Sequence, residues 1–166
     1  MITSKVLKEA KSVPEKIANF NEEDKNPYGH IAKQILNKEI THVVTVARGT
    51  SDCAALFSSY LFAKTLGLTT FSLPPSIITL EKSNFDFAKT LVIVISQSGL
   101  SEDLIKCEES SRKMGAKTII ITNNFNSPMV NRANYFFNMN AGIEESVAAT
   151  KTFILSLLNI IKLVAM

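Results

Sequence analysis

Residues 91–103 read Leu-Val-Ile-Val-Ile-Ser-Gln-Ser-Gly-Leu-Ser-Glu-Asp, and few folds accept such a stretch. Leu91–Ile95 is a continuous run of aliphatic residues, most of them β-branched. A run like that fits a strand buried on both faces, as inside a parallel sheet. It stops at Ser96-Gln97-Ser98-Gly99, and a helical pattern begins near Ser101, with Glu102 and Asp103 in its first turn, where negative charge suits the helix dipole. Strand, hydroxyl-rich turn and helix together put unsatisfied N–H groups and hydroxyls into one small volume at the carboxyl edge of a sheet. That volume is a natural anion site.

The remaining chain supplies companions for this unit. His42–Ala47 predicts a first strand, followed by Arg48-Gly49-Thr50-Ser51 and a helix over 51–66, with Ala55, Leu56, Ser59, Tyr60, Leu61, Ala63 and Leu66 at helical spacing and Gly67 as its C-cap. A second strand is expected over 68–73, a helical turn over 76–80, a helix over 101–114, a fourth strand over 117–122 and a fifth over 135–139. Ser127-Pro128 predicts a short helix to Arg132, 140–149 a loop, and a last helix begins near Thr150. Ahead of the first strand, residues 1–40 read as a helical preface on the outside of the core: a helix over 3–20 broken at Pro14, a loop over 21–27 and a helix over 28–38. Strands alternating with helices imply an α/β fold, a three-layer sandwich around a five-stranded parallel sheet with right-handed crossovers. The turns at 48–51 and 96–101 can face each other only if the first and third strands are neighbours, which predicts the flavodoxin-like order 2-1-3-4-5.

Composition narrows the partners. A net charge of +3, with eighteen basic residues scattered among fifteen acidic ones, gives no basic patch, so nucleic acid is not expected as a partner. Cys53 and Cys107 lie inside predicted helices and read as reduced packing residues of a cytoplasmic protein. The N-terminus is polar and helical in pattern, unlike a signal peptide. Residues 153–166 are apolar nearly all the way round but too few to cross a membrane, and Asn159 and Lys162 interrupt them. Such a helix is expected to be buried on most sides. Hence two expectations: the chain is one part of a longer polypeptide, or a homodimer covers 153–166.

Thr50, Ser51, Ser96, Ser98 and Ser101 offer five hydroxyls and Gln97 an amide, at the starts of two helices. Taken singly, each could be an ordinary N-cap; taken together, they suit a phosphate that must be held and later released. Neither Gly-x4-Gly-Lys-Ser/Thr nor Gly-x-Gly-x-x-Gly occurs, and Gly-x-Ser-x-Gly is absent. His30 and His42 have no partner at ligand spacing, so neither a metal nor another cofactor is expected. Glu144 and Glu145 precede the last helix and read either as first-turn acids or as a candidate proton-transfer base.

Three segments, Ala47–Asp52, Ile95–Asp103 and Ala141–Thr152, resemble the sugar isomerase (SIS) domain family over roughly residues 30–166. They are most similar to the first of two such domains in glucosamine-6-phosphate deaminases of the isomerase-domain type, and also to the isomerase half of glucosamine–fructose-6-phosphate aminotransferase. The resemblance implies that Ser51, Ser96, Gln97, Ser98 and Ser101 hold the phosphate of a hexose 6-phosphate, with Gly49 and Thr50 shaping their turn. It implies that Val147 and Ala149 approach the sugar through the backbone and that Glu144 borders it. In two-domain relatives a second domain supplies the glutamate base and the ring-opening histidine, and a second copy of the phosphate motif is not found in this sequence. The wording of 48–52 and 146–152 leans toward the deaminase branch, and a start at Met1-Ile2, with no glutaminase cysteine, weighs against the glutamine-dependent branch.

Three functions follow as expectations. The first is part of an enzyme that converts glucosamine 6-phosphate to fructose 6-phosphate with release of ammonia. The second is an aldose–ketose phosphosugar isomerase, and the third a non-catalytic sugar-phosphate sensor.

Overall fold

The computed structural model describes residues 4–20 and 26–165. Its centre is a five-stranded, wholly parallel sheet: β1 (His42–Ala47), β2 (Thr69–Ser72), β3 (Thr90–Ser96), β4 (Lys117–Thr122) and β5 (Tyr135–Asn138), in the order β2-β1-β3-β4-β5. All seven residues of β3 are buried. The reason is the period of two along a strand, which sends successive side chains to opposite faces. Leu91, Ile93 and Ile95 join one core cluster, with Val43, Ile119 and Ile121. Val92 and Val94 join the other, with Val44, Val46 and Ile120.

Helices cover both faces. On the first, Ile31 of α2 (Asn26–Leu36), Ala54, Ala55 and Phe62 of α3 (Thr50–Leu66), and Leu155, Ile160 and Leu163 of α6 (Lys151–Ala165) close the larger cluster. On the second, Ile78 of α4 (Pro75–Thr79) and Leu104 and Cys107 of α5 (Glu102–Lys113) close the smaller one. The helix after β1 thus leaves to one face and the helix after β3 to the other. The gap between β1 and β3 is the switch point of the sheet.

Several details depart from the sequence expectations. α1 (Lys5–Ala18) runs through Pro14 as one helix. Proline removes the bond to the carbonyl four residues back, but α1 has no fully buried residue, so the freed carbonyl retains access to water. α2 begins at Asn26 and takes in Pro27, where proline's fixed φ is tolerated at a helix start; the rest of the loop expected over 21–27 lies outside the described residues. α2 is also not peripheral, since Ile31 is fully buried. The short helix expected to Arg132 is a succession of turns, closed by Val130 N to Ser127 O and Arg132 N to Met129 O. α3 buries Ala54, Ala55, Ser58 and Phe62, while Leu56 and Tyr60 face outward. Apolar residues on both sides of that helix made its inner stripe ambiguous. Cys53 is likewise exposed rather than packed, and both cysteines are free.

α6 answers the question of what covers so apolar a helix. It packs on α1, α2 and α3 of its own chain, and Ile161 is its one large hydrophobic residue more than a third exposed among the described residues. Covering by a partner is therefore not required. The interrupting polar residues have partners. Asn159 is buried, accepts from the Tyr28 hydroxyl at 2.8 Å and donates to Leu155 O at 2.9 Å. Lys162 Nζ lies 4.7 Å from the Phe20 ring centroid. No helix among the described residues is long and apolar enough to cross a membrane.

Candidate functional site

The register pairs Ala47 with Ile95, so the chain leaves β1 and β3 side by side. Gly49, at φ 58° and ψ −135°, begins α3 without a side-chain cap. Ser101 begins α5, and its hydroxyl makes no capping bond either. Two helix starts therefore keep unsatisfied N–H groups next to each other, each with the positive end of a helix dipole. Between them lies a cavity of about 240 Å³. Arg48, Thr50 and Ser51 line it from the first turn, and Ser96, Gln97, Ser98 and Ser101 from the second. Glu144, Ser146, Val147 and Ala149 close it from the loop before α6. Of the site residues named from the sequence, Gly49 and Glu145 do not line the cavity.

The second turn is organised from inside. Ser96 Oγ accepts from Gly99 N at 3.1 Å, and Ser98 Oγ accepts from Leu100 N at 3.2 Å. A hydroxyl that accepts still has its own proton to donate. The turn is also braced from behind by residues that were not expected at the site. Asn124 Nδ2 donates to Ser98 O at 2.8 Å, Ser127 Oγ to Gly99 O at 2.7 Å, and Thr122 Oγ1 to Gln97 O at 3.3 Å. The available signal was the polar run that follows β4, at the same sheet edge as the site. Gly99, at φ 64°, is wedged against these residues, because a Cβ there would stand 2.6 Å from Ser127 Cβ.

Electrostatically the cavity is close to neutral. Arg48 is the one cation in its lining, and its Nε lies 2.9 Å from Asp103 Oδ2, an ion pair without hydrogen-bond alignment. Glu144 borders the cavity, but its carboxylate is engaged elsewhere. Oε1 accepts from Thr150 N at 2.9 Å, Thr150 Oγ1 at 3.2 Å and Lys151 N at 2.7 Å, and Oε2 accepts from the Thr152 hydroxyl. These bonds make it the cap of α6 rather than a free carboxylate facing the cavity. Glu145, the neighbouring acid, pairs with Lys5 at 2.8 Å, outside the cavity lining. Behind the site, burial pushes the Cys107 thiol up to about 11, far from the thiolate a nucleophile requires. The arrangement can hold a compact anion by neutral donors; among the lining residues no free base faces it.

Comparison with known proteins agrees with this geometry. The SIS domain family matches residues 35–166. A glutamine–fructose-6-phosphate aminotransferase (isomerizing) of Sulfolobus acidocaldarius is 38% identical over 125 residues, covering 75% of this chain and 20% of that protein. A crystal structure from Silicibacter pomeroyi, described as a proposed phosphosugar isomerase, superposes with a TM-score of 0.89 at 29% identity over 98% of this chain and 50% of that one. The C-terminal domain of glucosamine–fructose-6-phosphate aminotransferase from Francisella tularensis gives a TM-score of 0.84 at 26% identity, over 98% of this chain and 47% of that one. The chain thus spans about a fifth of the length of the Sulfolobus relative and about half of each structural neighbour.

Proposed function

The chain belongs to the SIS domain family, and from that membership we propose that it binds a hexose 6-phosphate, glucosamine 6-phosphate or fructose 6-phosphate, in the cavity between β1 and β3. The observation that carries the reading is the meeting of two uncapped helix starts, those of α3 and α5, on one hydroxyl-lined cavity. The phosphoryl group takes hydrogen bonds from Ser51, Ser96, Ser98 and Ser101, from the Gln97 amide and from the N–H groups that open α5. Gly49 and Thr50 shape the first turn. The sugar extends toward the loop, where backbone groups of Val147 and Ala149 meet its hydroxyls.

In this reading the domain is part of an enzyme that opens glucosamine 6-phosphate and moves a proton from carbon two to carbon one. The imine so formed is hydrolysed by one water to fructose 6-phosphate and ammonia. A base must carry that proton. Glu144 is occupied as a cap, so the base comes from elsewhere, from a second domain or another subunit. Here Glu144 borders the sugar and fixes the loop. A homodimer in the cytoplasm belongs to the same reading, and α3 exposes the apolar side chains of Leu56 and Tyr60 while α6 exposes Ile161. A second reading is favoured by the 38% identity to the aminotransferase: this chain as a segment of the isomerase half of such an enzyme. Both readings share the sugar-phosphate site and differ in the fate of the nitrogen.

The test is calorimetric titration of the chain with fructose 6-phosphate, glucosamine 6-phosphate and fructose. Both phosphates should bind and fructose should not. Replacing Ser98 and Ser101 together by alanine should weaken binding by about 1.5–3 kcal/mol for each lost donor to a charged group. Unchanged affinity in that double variant would remove the phosphate assignment.

A further inference from the structure

We propose that Glu9 of α1 is a positioning residue for the sugar-facing wall of the cavity, pinning the loop before α6 so that Val147 and Ala149 stand where a ligand meets them. The inference rests on the reading of the cavity as a hexose 6-phosphate site. Glu9 and the loop are 136 residues apart in sequence, yet Glu9 Oε1 accepts from Glu145 N at 2.7 Å. Its Oε2 accepts from Ser146 N at 3.4 Å and from the Ser146 hydroxyl. Lys5, one turn earlier on α1, pairs with Glu145 at 2.8 Å. The Ser146 hydroxyl and the Glu145 N–H hold the Glu9 carboxyl below its ordinary range.

The need for such a pin lies in the middle of the loop, since the start is held by Asn123 Nδ2 on Gly142 O at 2.7 Å and by Lys151 Nζ on Ile143 O at 2.5 Å. Ile143 is 83% exposed and Val147 fully exposed, so neither of these apolar residues anchors the loop by packing. Glu144 secures the far end, at Thr150 and Lys151. Glu9 secures the middle, at Glu145 and Ser146, just before Val147. Val147 and Ala149, both in the cavity lining, hang between the two carboxylates. Releasing one end lets the wall sample other positions, and a ligand must then order it again on binding. The phosphate cradle, built from the turns after β1 and β3, does not touch Glu9.

That separation supplies the test. In the 166-residue chain, Glu9→Ala is compared with the parent by amide hydrogen exchange and by titration with fructose 6-phosphate and with inorganic phosphate. Expected are faster exchange at the amides of Glu145 and Ser146, fructose 6-phosphate affinity about tenfold weaker, and inorganic phosphate affinity unchanged. Glu9→Gln keeps one acceptor oxygen and should lie between parent and alanine variant. Retained fructose 6-phosphate affinity overturns the proposal, and so does an equal loss for both ligands, which would mark a role in the fold at large. If the parent binds no fructose 6-phosphate, the site reading falls by itself. Exchange at 145 and 146 then still decides the pin, and unchanged rates refute it.

Discussion

Gly99→Ala is expected to damage both the stability of this domain and the turn after β3 that lines the candidate site, for reasons that can be separated. At φ 64° a residue with a side chain occupies the left-handed region at a cost of about 1–2 kcal/mol. The added methyl would stand 2.6 Å from Ser127 Cβ, 2.7 Å from Ser127 Oγ and 2.9 Å from Thr122 Oγ1. Each is inside van der Waals contact, and forcing an extra methyl into a packed site costs about 1–3 kcal/mol. Displacing Ser127 also breaks its 2.7 Å bond to Gly99 O, a further loss of about 1 kcal/mol. These contributions overlap, and together they give about 3–5 kcal/mol, or a fall in Tm of about 6–20 °C for a domain of this size. The assay is thermal and denaturant unfolding of a double-mutant cycle with Ser127→Gly. Removing the Ser127 side chain relieves the closest contacts but leaves the backbone strain, so Gly99→Ala should cost less in the Ser127→Gly background by about 1–3 kcal/mol. An identical cost in both backgrounds would refute the steric argument. A Gly99→Ala variant as stable as the parent would refute the left-handed turn itself.

Two further outcomes are expected from the same structure. Glu144→Ala removes the acceptor for the first N–H groups of α6 and should lower stability by about 1–2 kcal/mol, read as Tm; an unchanged Tm would show that those bonds contribute nothing. Glu108 is buried with Oε1 accepting from the Thr118 hydroxyl at 3.3 Å and Oε2 unpartnered, and burial raises its carboxyl above the ordinary 4.5. The folded chain then keeps this proton where the unfolded chain has lost it. Its contribution to stability is complete below pH 4.5 and declines as pH rises through the folded value. Glu108→Gln keeps an acceptor and removes that decline, so the variant should gain stability relative to the parent between pH 4 and pH 8, and a constant difference across that range would contradict the assignment.

The central strand and the strand order could be read in advance because each is dictated by one strong constraint. Leu91–Ile95 has no polar face to present, so only a sheet covered on both sides accommodates it. The order followed from requiring that 48–51 and 96–101 meet. What stayed hidden depends on contacts that local sequence does not encode. Asn124 follows the fourth strand in a polar run, and nothing in that run says that it would hold Ser98 O. Glu9 lies in the helical preface, 136 residues before the loop, and only the fold brings that loop to it. Glu144 was legible as near the site, but whether it served as cap or base depended on where its two oxygens point. The face of α3 was misjudged because Leu56 and Tyr60 are as apolar as the residues it buries.

The strand order also explains why the site can do without a free cationic side chain. With β1 and β3 adjacent, α3 departs to one face and α5 to the other, and their N-termini remain together at the gap. A third strand between them would push the two ends apart by about another 4.8 Å and dilute the field of each. Each end carries roughly half a positive charge, so the pair supplies about one unit against the dianion of the proposed phosphate. Arg48 adds little, since Asp103 offsets it at 2.9 Å. An anion held this way stays under-compensated in charge and is retained mainly by oriented hydrogen bonds. In the proposed reading, that suits a phosphoryl group that must dock, hold a sugar in register and leave again. It also means that the geometry of the turn, set by Gly99 and its bracing from β4, controls affinity more directly than any single charge does.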